Sequence, residues 1–438
     1  MVKKLVVGLL LTFSLQTFAQ NKVDDVKTFT LNNGMKFLVL EDASIPNANM
    51  YLFYKVGSRN EHPGITGLSH FFEHMMFNGA KKYGPKMFDK TMEFNGGSNN
   101  AYTTQNVTVY SNWFPATALE TMFDLEADRI ENLSIDPKYV DSEREVVLSE
   151  RSTGLENSPW RTLGEQVNGV AFLEHPYRWS VIGYEEDIKN WTKEDLEYYY
   201  KTYYAPNNCT VVISGNVKLA EVKRLADKYM ASIPAQKPGP KVHLVEPKQT
   251  GERRITVQKT VASPYMMVSF HVPETMSKDY YALDILSSVL SSGKTSRLYH
   301  SLVDNKQVAT NIFTDFSESF DPNLFSIYVS LSADKSTEEA EKLIYEELNK
   351  IAKEGITADE LQKIKNQKLM KFYADIETID GKSNNLGTYE LFFGDYKKLF
   401  SAPDEYAKVT VEDIKKVADE YFKKSNRTVG VLKSNVEE

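Results

Sequence analysis

The sequence has 438 residues, of which 41% are hydrophobic and 26% are charged, and this balance excludes an intrinsically disordered chain. The length suggests two or more domains. The 52 Lys and Arg residues against 60 Asp and Glu residues give a net charge of −8, which provides no general electrostatic attraction to nucleic acid. No basic stripe or RNA-binding aromatic motif stands out, so we expect no nucleic-acid partner.

The N-terminus has the pattern of a secretory signal peptide. Residues 1–4 form a short basic start, residues 5–18 are apolar or small with few interruptions, and Thr17-Phe18-Ala19 resembles the small-x-small cleavage rule. We therefore predict a signal peptide over 1–19. A non-cleaved anchor is the alternative, although the run is short for a membrane span. No other segment is long and apolar enough to span a membrane. Because of the predicted signal peptide, we expect an exported protein, most simply in a bacterial periplasm.

Three strands are predicted before the first distinctive motif, at 29–31, 35–40 and 50–56. The motif follows at 70–74, where the sequence reads H-x-x-E-H within a helix-compatible and mostly apolar segment. Three titratable groups in such a helix are costly to bury unless they are paired or bind a metal.

The motif has the residue types and spacing of a zinc site. On a helix, His70, Glu73 and His74 lie on one face because they are three and four residues apart. Two imidazoles one turn apart can bind one Zn²⁺, and the carboxylate can take a proton from a water molecule that the ion activates. The alternative is a pair of structural histidines in the core. We predict a metal site because motif, spacing and context agree.

A catalytic zinc usually takes three protein ligands, so a third is expected elsewhere. The acidic, helix-compatible segment 136–156 contains Glu143 and Glu150, two turns apart on one face. Glu150 is the candidate third ligand, and Glu143 is placed to hydrogen-bond a ligand. The alternative is a solvated acidic face, which the spacing alone favours.

Cys209 is the only cysteine, so no intramolecular disulfide is possible. It lies in the strand-like run 209–213. We therefore expect a buried, unreactive thiol rather than the nucleophile of a cysteine protease.

The chain carries a faint internal repeat. Residues 192–196 match 410–414 and residues 208–211 match 426–429, and both pairs are 218 positions apart. Each pair reads as a capped helix start followed by an aromatic-rich helix and a strand. A constant offset over two elements indicates two similar domains of roughly two hundred residues.

We predict a zinc-bearing peptidase domain over 20–233, a Pro-, Lys- and Gly-rich linker over 234–253 and a homologous domain over 254–438. The elements predicted in the second half are strands at 254–258 and 266–272, helices at 280–291 and 337–353, and a long helix from about 358. The 218-residue offset places the three motif residues on Ser288, Ser291 and Ser292, so only the first half carries the metal face.

Four segments carry a resemblance to a known family: 67–79, 99–103, 143–150 and 175–177. Together they resemble the pitrilysin family of inverzincin metallopeptidases, closest to the mitochondrial-processing-peptidase-like branch and its bacterial members. The similarity extends over nearly all of the predicted mature chain. It implies an α+β fold of two homologous domains, each a mainly antiparallel β-sheet packed with helices, which form half of a clamshell.

The resemblance implies that His70, His74 and Glu150 bind one zinc ion and that Glu73 is the general base. Glu143 matches the family's additional acidic residue near the site. The implied activity is that of a zinc endopeptidase acting on extended or unfolded peptides. The implied substrate-binding strand, which pairs with the peptide backbone, contains Asn99, Asn100 and Ala101.

The chain departs from the family at one place. The second half, or a partner subunit, usually supplies an Arg and a Tyr seven residues apart. Here Val303 and Thr310 occupy the expected positions, and the nearby Arg297 and Tyr299 have the wrong spacing. The resemblance therefore implies a heterodimer in which this chain is the zinc-bearing subunit and a related chain supplies the Arg/Tyr pair.

Three alternatives remain at this point. The chain could act as a monomer or homodimer in which Arg297 or Tyr299 takes the missing role. It could also be a non-catalytic scaffold subunit, against which the intact ligand set argues. The third alternative is a peptide-binding or chaperone-like module that captures strands without cutting them.

Overall fold

The computed structural model describes residues 22–434, which form two β-sheets with helices packed on them. The strands of the first half are β1 (Val26–Thr30), β2 (Lys36–Glu41), β3 (Asn47–Tyr54), β4 (Ser98–Thr103), β5 (Thr108–Pro115) and β6 (Cys209–Gly215). The strands of the second half are β7 (Arg253–Gln258), β8 (Tyr265–Val272), β9 (Ala309–Asp315), β10 (Asn323–Leu331) and β11 (Arg427–Lys433).

The first sheet has the order β1-β2-β6-β3-β5-β4 and the second has the order β7-β11-β8-β10-β9. Each sheet has one parallel pair, β2–β6 or β7–β11, and its other pairs are antiparallel. This architecture confirms the predicted α+β class. It also leaves β4 at an edge of the first sheet, where one side of the strand has no β-strand neighbour.

The helices lie between and over these strands. In the first half they are α1 (Lys22–Asp25), α2 (Leu68–Met75), α3 (Met87–Phe94), α4 (Leu119–Asn132), α5 (Pro137–Asn157), α6 (Pro159–Ala171), α7 (Glu185–Asn190), α8 (Lys193–Tyr203) and α9 (Leu219–Tyr229). In the second half they are α10 (Tyr280–Ser291), α11 (Thr337–Glu354), α12 (Ala358–Asp375), α13 (Ile379–Phe392), α14 (Lys398–Lys408) and α15 (Val411–Tyr421).

The internal repeat is present in the fold. Strands β3 and β8 are 218 positions apart and equal in length, and so are β6 and β11. The helices α8 and α15 both begin with a capping box, formed by Thr192 and Asp195 in one and by Thr410 and Asp413 in the other. The two halves differ locally, because α10 begins at Tyr280, before Leu286, the position that corresponds to the start of α2.

The two halves exchange one helix each. Helix α6 of the first half packs on β7, β8 and β11, and α13 of the second half packs on β3 and β6. This explains why β3 is buried on both faces and why residues 50–54 read as a continuous apolar run. Close approach requires glycine at both crossings: a Cβ on Gly387 would overlap the ring of Phe53, and one on Gly430 would overlap Val167.

Polar contacts also join the halves. Lys382 on α13 donates to Asp42 at the end of β2 at 2.6 Å, and Ser383 contacts Asn49 and Ser214 at 2.7 Å. The exchanged helix is therefore held by hydrogen bonds as well as by apolar packing.

A second junction lies at the turn between β4 and β5. Tyr177 donates its hydroxyl to Asn106 at 2.5 Å, and the backbone N–H groups of Phe320 and Asp321 donate to these two side chains. The loop before β10 thus holds the end of the edge strand.

The domain boundaries at 233 and 254 stay a prediction, although 234–252 form neither helix nor strand. The predicted signal peptide over 1–19 lies outside the described residues. None of the helices in 22–434 is long and apolar enough to cross a membrane. Cys209 is buried with a free thiol, and burial raises its pKa far above the usual range, as expected for an unreactive cysteine.

Candidate metal centre

Helix α2 carries the motif residues on a face that its own packing fixes. Its apolar residues are buried under the first sheet, including Phe71 and Phe72. The helix follows Gly67, whose φ of 91° lies in the left-handed region that favours glycine. The buried Glu61 carboxylate accepts the first free N–H groups, from Gly67 at 2.7 Å and from Ser69 at 2.8 Å. The start of the helix therefore has little freedom.

Three predicted ligands converge in the structure. The Nε2 atoms of His70 and His74 each lie 3.6 Å from Oε2 of Glu150 on α5. The nearest donor atoms of the three residues all lie within 4.8 Å of one another. Ligands about 2.0–2.2 Å from one tetrahedral zinc are roughly 3.3–3.6 Å apart, so this donor set fits a zinc ion with little movement.

Glu143 lies beside this group and holds His74. His74 donates its Nδ1–H to Oε1 of Glu143 at 2.7 Å, and Asn78 donates to Oε2 at 2.6 Å. The bond leaves Nε2 of His74 as the nitrogen that faces Glu150. Asn78 was not predicted, although it lies only four residues after His74, just beyond the end of α2. His70 has no such support, because its buried Nδ1 lacks a partner among the described residues.

Burial and the neighbouring carboxylates give the two histidines opposite pKa shifts. Burial lowers the pKa of His70 to about 4, and the neighbouring His74 adds to this effect. Burial also acts to lower the pKa of His74, but the hydrogen bond to Glu143 and the nearby charge of Glu150 outweigh it and raise the value to about 9. The same two contacts with His74 lower the pKa of both carboxyls. The two carboxylates therefore stabilise a positive charge at His74, whereas the buried His70 favours its neutral form.

Glu73 points to the edge strand rather than to the other carboxylates. Thr103 at the end of β4 donates its hydroxyl to Oε2 of Glu73 at 2.6 Å. Burial raises the pKa of Glu73, and the Thr103 bond opposes this shift. Thr103 was missed in the sequence, although it lies two residues after Ala101 and so on the same face of the strand.

The predicted substrate-binding residues all lie on β4, at the free edge of the sheet. Asn99 donates to Asp89 at 2.9 Å, Asn100 is exposed and Ala101 packs against the core of the first half. Their location matches the expectation, and their role in binding substrate stays a prediction.

A cavity of about 280 Å³ opens beside the histidines. His70, Thr103 and Glu150 line it together with two arginines, Arg151 and Arg161. The sequence did not predict a role in substrate binding for either arginine. Both reach the cavity only because α5 packs against α6.

The positions expected to hold the Arg/Tyr pair lie in the second half. Val303 packs against the second core, and the Thr310 hydroxyl donates to a backbone carbonyl at 3.2 Å. Arg297 makes two hydrogen bonds of 2.8 Å to Glu360, so its guanidinium is engaged within the second half.

Comparisons with known proteins give consistent matches. Residues 36–183 match the family described as "Insulinase (Peptidase family M16)", and residues 190–368 match "Peptidase M16 inactive domain". "Zinc protease PqqE" of Helicobacter pylori is 32% identical over 434 residues, which cover 97% of this chain and 96% of the relative. "Mitochondrial-processing peptidase subunit beta" of Blastocladiella emersonii is 26% identical over 407 residues, covering 90% and 85% of the two chains.

Among solved structures, the crystal structure of a protease from Helicobacter pylori superimposes with a TM-score of 0.90. Its sequence is 31% identical, and the match covers 93% of this chain and 99% of that one.

Proposed function

The chain belongs to the insulinase family of peptidases, M16, as its resemblance to the pitrilysin family predicted, and from this we propose that it is a zinc-dependent endopeptidase. The observation that carries the proposal is the convergence of His70, His74 and Glu150 on one point, with Glu73 on the same helix face. The names of its relatives indicate a zinc protease, and the donor set of this chain suits zinc.

We assign His70, His74 and Glu150 as the ligands. A zinc ion bound there would polarise the scissile carbonyl and lower the pKa of water to about 7. Glu73 is placed to accept the proton of the attacking water and to pass it to the leaving amine. Glu143 orients His74, so it acts through that ligand rather than on the substrate.

The substrate we propose is an extended or unfolded peptide. Strand β4 offers a free edge, and Thr103 ties its end to Glu73. A peptide added to this edge would gain backbone hydrogen bonds next to the general base. A folded protein has few segments free to pair in this way.

We also propose that the working enzyme is a heterodimer. Val303 and Thr310 stand where an Arg/Tyr pair is expected, and Arg297 is held by Glu360. One relative is named as a subunit, "Mitochondrial-processing peptidase subunit beta". The N-terminal sequence further supports export, and we propose the bacterial periplasm as the compartment.

The missing pair also favours a second candidate, a peptide-binding or scaffold subunit that does not cut. A mixed peptide library separates the two. The zinc-loaded chain, alone and with a co-purified related chain, should cut flexible peptides, and a chelator should abolish the cleavage. Peptide capture with no cleavage under any of these conditions would establish the second candidate instead.

A further inference from the structure

Arg161 lies beside the proposed metal centre without a close partner. Its Nη1 is 3.8 Å from Oε1 of Glu150, whereas the two histidines approach Oε2 of the same carboxylate. The side chain of Arg161 is 58% exposed and forms part of the cavity wall with His70 and Thr103. Its charge therefore faces the space that a peptide at the metal centre would enter.

The backbone of Arg161 is fixed from both sides. The ring of the preceding Trp160 packs edge-on against three aromatic rings of the second half. The hydroxyl of the following Thr162 donates to the carbonyl of Leu155 at 2.8 Å, and Ser158 caps the helix by accepting from the N–H of Arg161 at 3.2 Å. The fold thus fixes the backbone position from which the guanidinium extends.

A glycine on the neighbouring helix lets this side chain reach the cavity. Gly154 lies one turn after Glu150 on α5, and a Cβ there would overlap Nη1 of Arg161 and lie 3.3 Å from its Cδ. Glycine destabilises the interior of a helix relative to alanine. The close crossing of Arg161 explains why glycine nevertheless occupies this position.

No other group neutralises Arg161 closely. The second arginine of the cavity, Arg151, is bound by both oxygens of Glu165 at 2.8 and 2.9 Å, and Glu165 also accepts from Ser180. Within residues 22–434, the guanidinium of Arg161 makes no hydrogen bond, and Glu150 is its one ion-pair partner. That carboxylate is already shared between His70 and His74.

We propose that Arg161 binds a carboxylate of the peptide substrate, so that the enzyme favours an acidic side chain or a free C-terminus close to the scissile bond. The planar guanidinium offers paired donors that match a carboxylate. An extended peptide advances about 3.3 Å per residue, so a group this near the ligands reads positions within about two residues of the cut. The proposal rests on the proposed peptidase function.

The test uses matched peptides that carry Glu, Gln or Lys at each of the two positions on either side of the scissile bond, with a free or an amidated C-terminus. The proteins are the full chain, with its partner where one is required, and its Arg161→Ala and Arg161→Glu variants. Arg224→Ala is the control, because Arg224 is similarly exposed on α9 and pairs with Glu221. Zinc content is measured for each, and peptide binding is measured in a Glu73→Gln background.

We expect the normal chain to favour Glu over Gln at one position, or the free over the amidated C-terminus, by about tenfold in kcat/KM. Arg161→Ala should remove this preference, Arg161→Glu should favour Lys, and the control should keep the normal preference. Zinc content should stay unchanged.

Equal cleavage of the Glu and Gln peptides with either C-terminus would overturn the proposal while leaving the peptidase function intact. Loss of zinc in Arg161→Ala would also overturn it, because Arg161 would then position Glu150. A Glu preference in binding that depends on Arg161, without any cleavage, would instead support Arg161 and reject the peptidase function.

Discussion

His74 is held from the side opposite Glu150. Glu143 fixes its Nδ1, and Asn78 fixes Glu143 in turn. Thr103 does the same for Glu73, from a different element. The candidate ligands and the candidate base are therefore oriented by separate supports, and changes to one set can be tested without disturbing the other.

The ligand assignment predicts a graded loss of zinc. Glu150→Ala should remove most of the bound zinc because one of three ligands is lost. Glu143→Ala should retain zinc with an affinity lowered by about 10- to 100-fold, since only the support of His74 is lost. Glu145→Ala, on the exposed face of α5, is the control. Metal analysis and competition with a chelator measure all three, and full occupancy in Glu150→Ala would reject that ligand.

The base assignment predicts a different pattern for Glu73. Glu73→Gln should keep zinc and peptide binding but lower kcat by roughly 10²–10⁴-fold, because the amide cannot accept the proton. Steady-state cleavage of a flexible peptide measures the loss, and a metal assay on the same sample serves as the control. Near-normal turnover would reject the mechanism.

The sequence indicated the candidate ligands and one of their supports, Glu143, but not the other groups that reach the site. H-x-x-E-H places three groups on one helix face from local periodicity alone, and the structure confirms that placement. Asn78 and Thr103 support the site through contacts with Glu143 and Glu73, which lie 65 and 30 residues away, and Arg161 reaches it through the packing of α6 on α5. Such contacts have no local pattern, so they became visible only in the fold.

At the scale of elements, the exchanged helices show why glycine occurs where it does. Gly387 on α13 crosses the buried Phe53 of β3, whereas Gly169 on α6, 218 positions earlier, has nothing within 4 Å. The repeat therefore offers an internal comparison of the same residue type in crowded and open surroundings.

Gly387→Ala should destabilise the protein by about 1–3 kcal/mol, because the new methyl group is forced against a ring that cannot move. Gly169→Ala is the matched control and should be neutral or stabilising by about 0.5–1 kcal/mol, since a helical glycine is replaced without a clash. Thermal and urea unfolding midpoints measure both. Equal effects of the two substitutions would show that α13 does not pack tightly on the first sheet.

The elements themselves followed the sequence closely where the period was clear. The helix at Tyr280–Ser291 has the predicted bounds, and the strand at Tyr265–Val272 begins one residue before the prediction. The 218-residue offset also held for β6 and β11. The exchange of α6 and α13 was not predicted, because the repeat gives the order of elements and not the sheet on which each helix packs.

At the scale of the whole molecule, the ion pair between Asp42 and Lys382 connects the halves. The hydrogen bond from Lys382 lowers the pKa of Asp42 from 3.8 to about 2. A carboxyl with a lowered folded pKa stabilises the protein above its unfolded pKa and loses this effect as the pH falls through the folded value.

Asp42→Asn should therefore lower the free energy of unfolding by about 1 kcal/mol at pH 7. The difference from the normal chain should shrink as the pH falls from about 4 to 2. Urea unfolding over this pH range measures it, with Glu185→Gln, in an exposed pair on α7, as the control that should show no change. A difference that persists at pH 2 would show that the ion pair is not its source.

The absent Arg/Tyr pair predicts a requirement for a second chain. A related partner without H-x-x-E-H, carrying Arg and Tyr at the positions of Val303 and Thr310, should raise turnover by about 10²–10³-fold per donor supplied. Cleavage by the isolated chain and by the reconstituted pair measures the effect. The split-enzyme hypothesis is wrong if the isolated chain is equally active and Arg297→Ala abolishes that activity.

The exchange of α6 and α13 means that neither half is a self-sufficient unit. A first half made alone would leave bare the apolar sheet face around Phe53 and Tyr51, which α13 covers, and would keep α6 with no sheet to cover. Such a surface favours aggregation. After a cut of the chain within 234–252, the packing of α6 and α13 on the sheet of the other half would still hold the two pieces together.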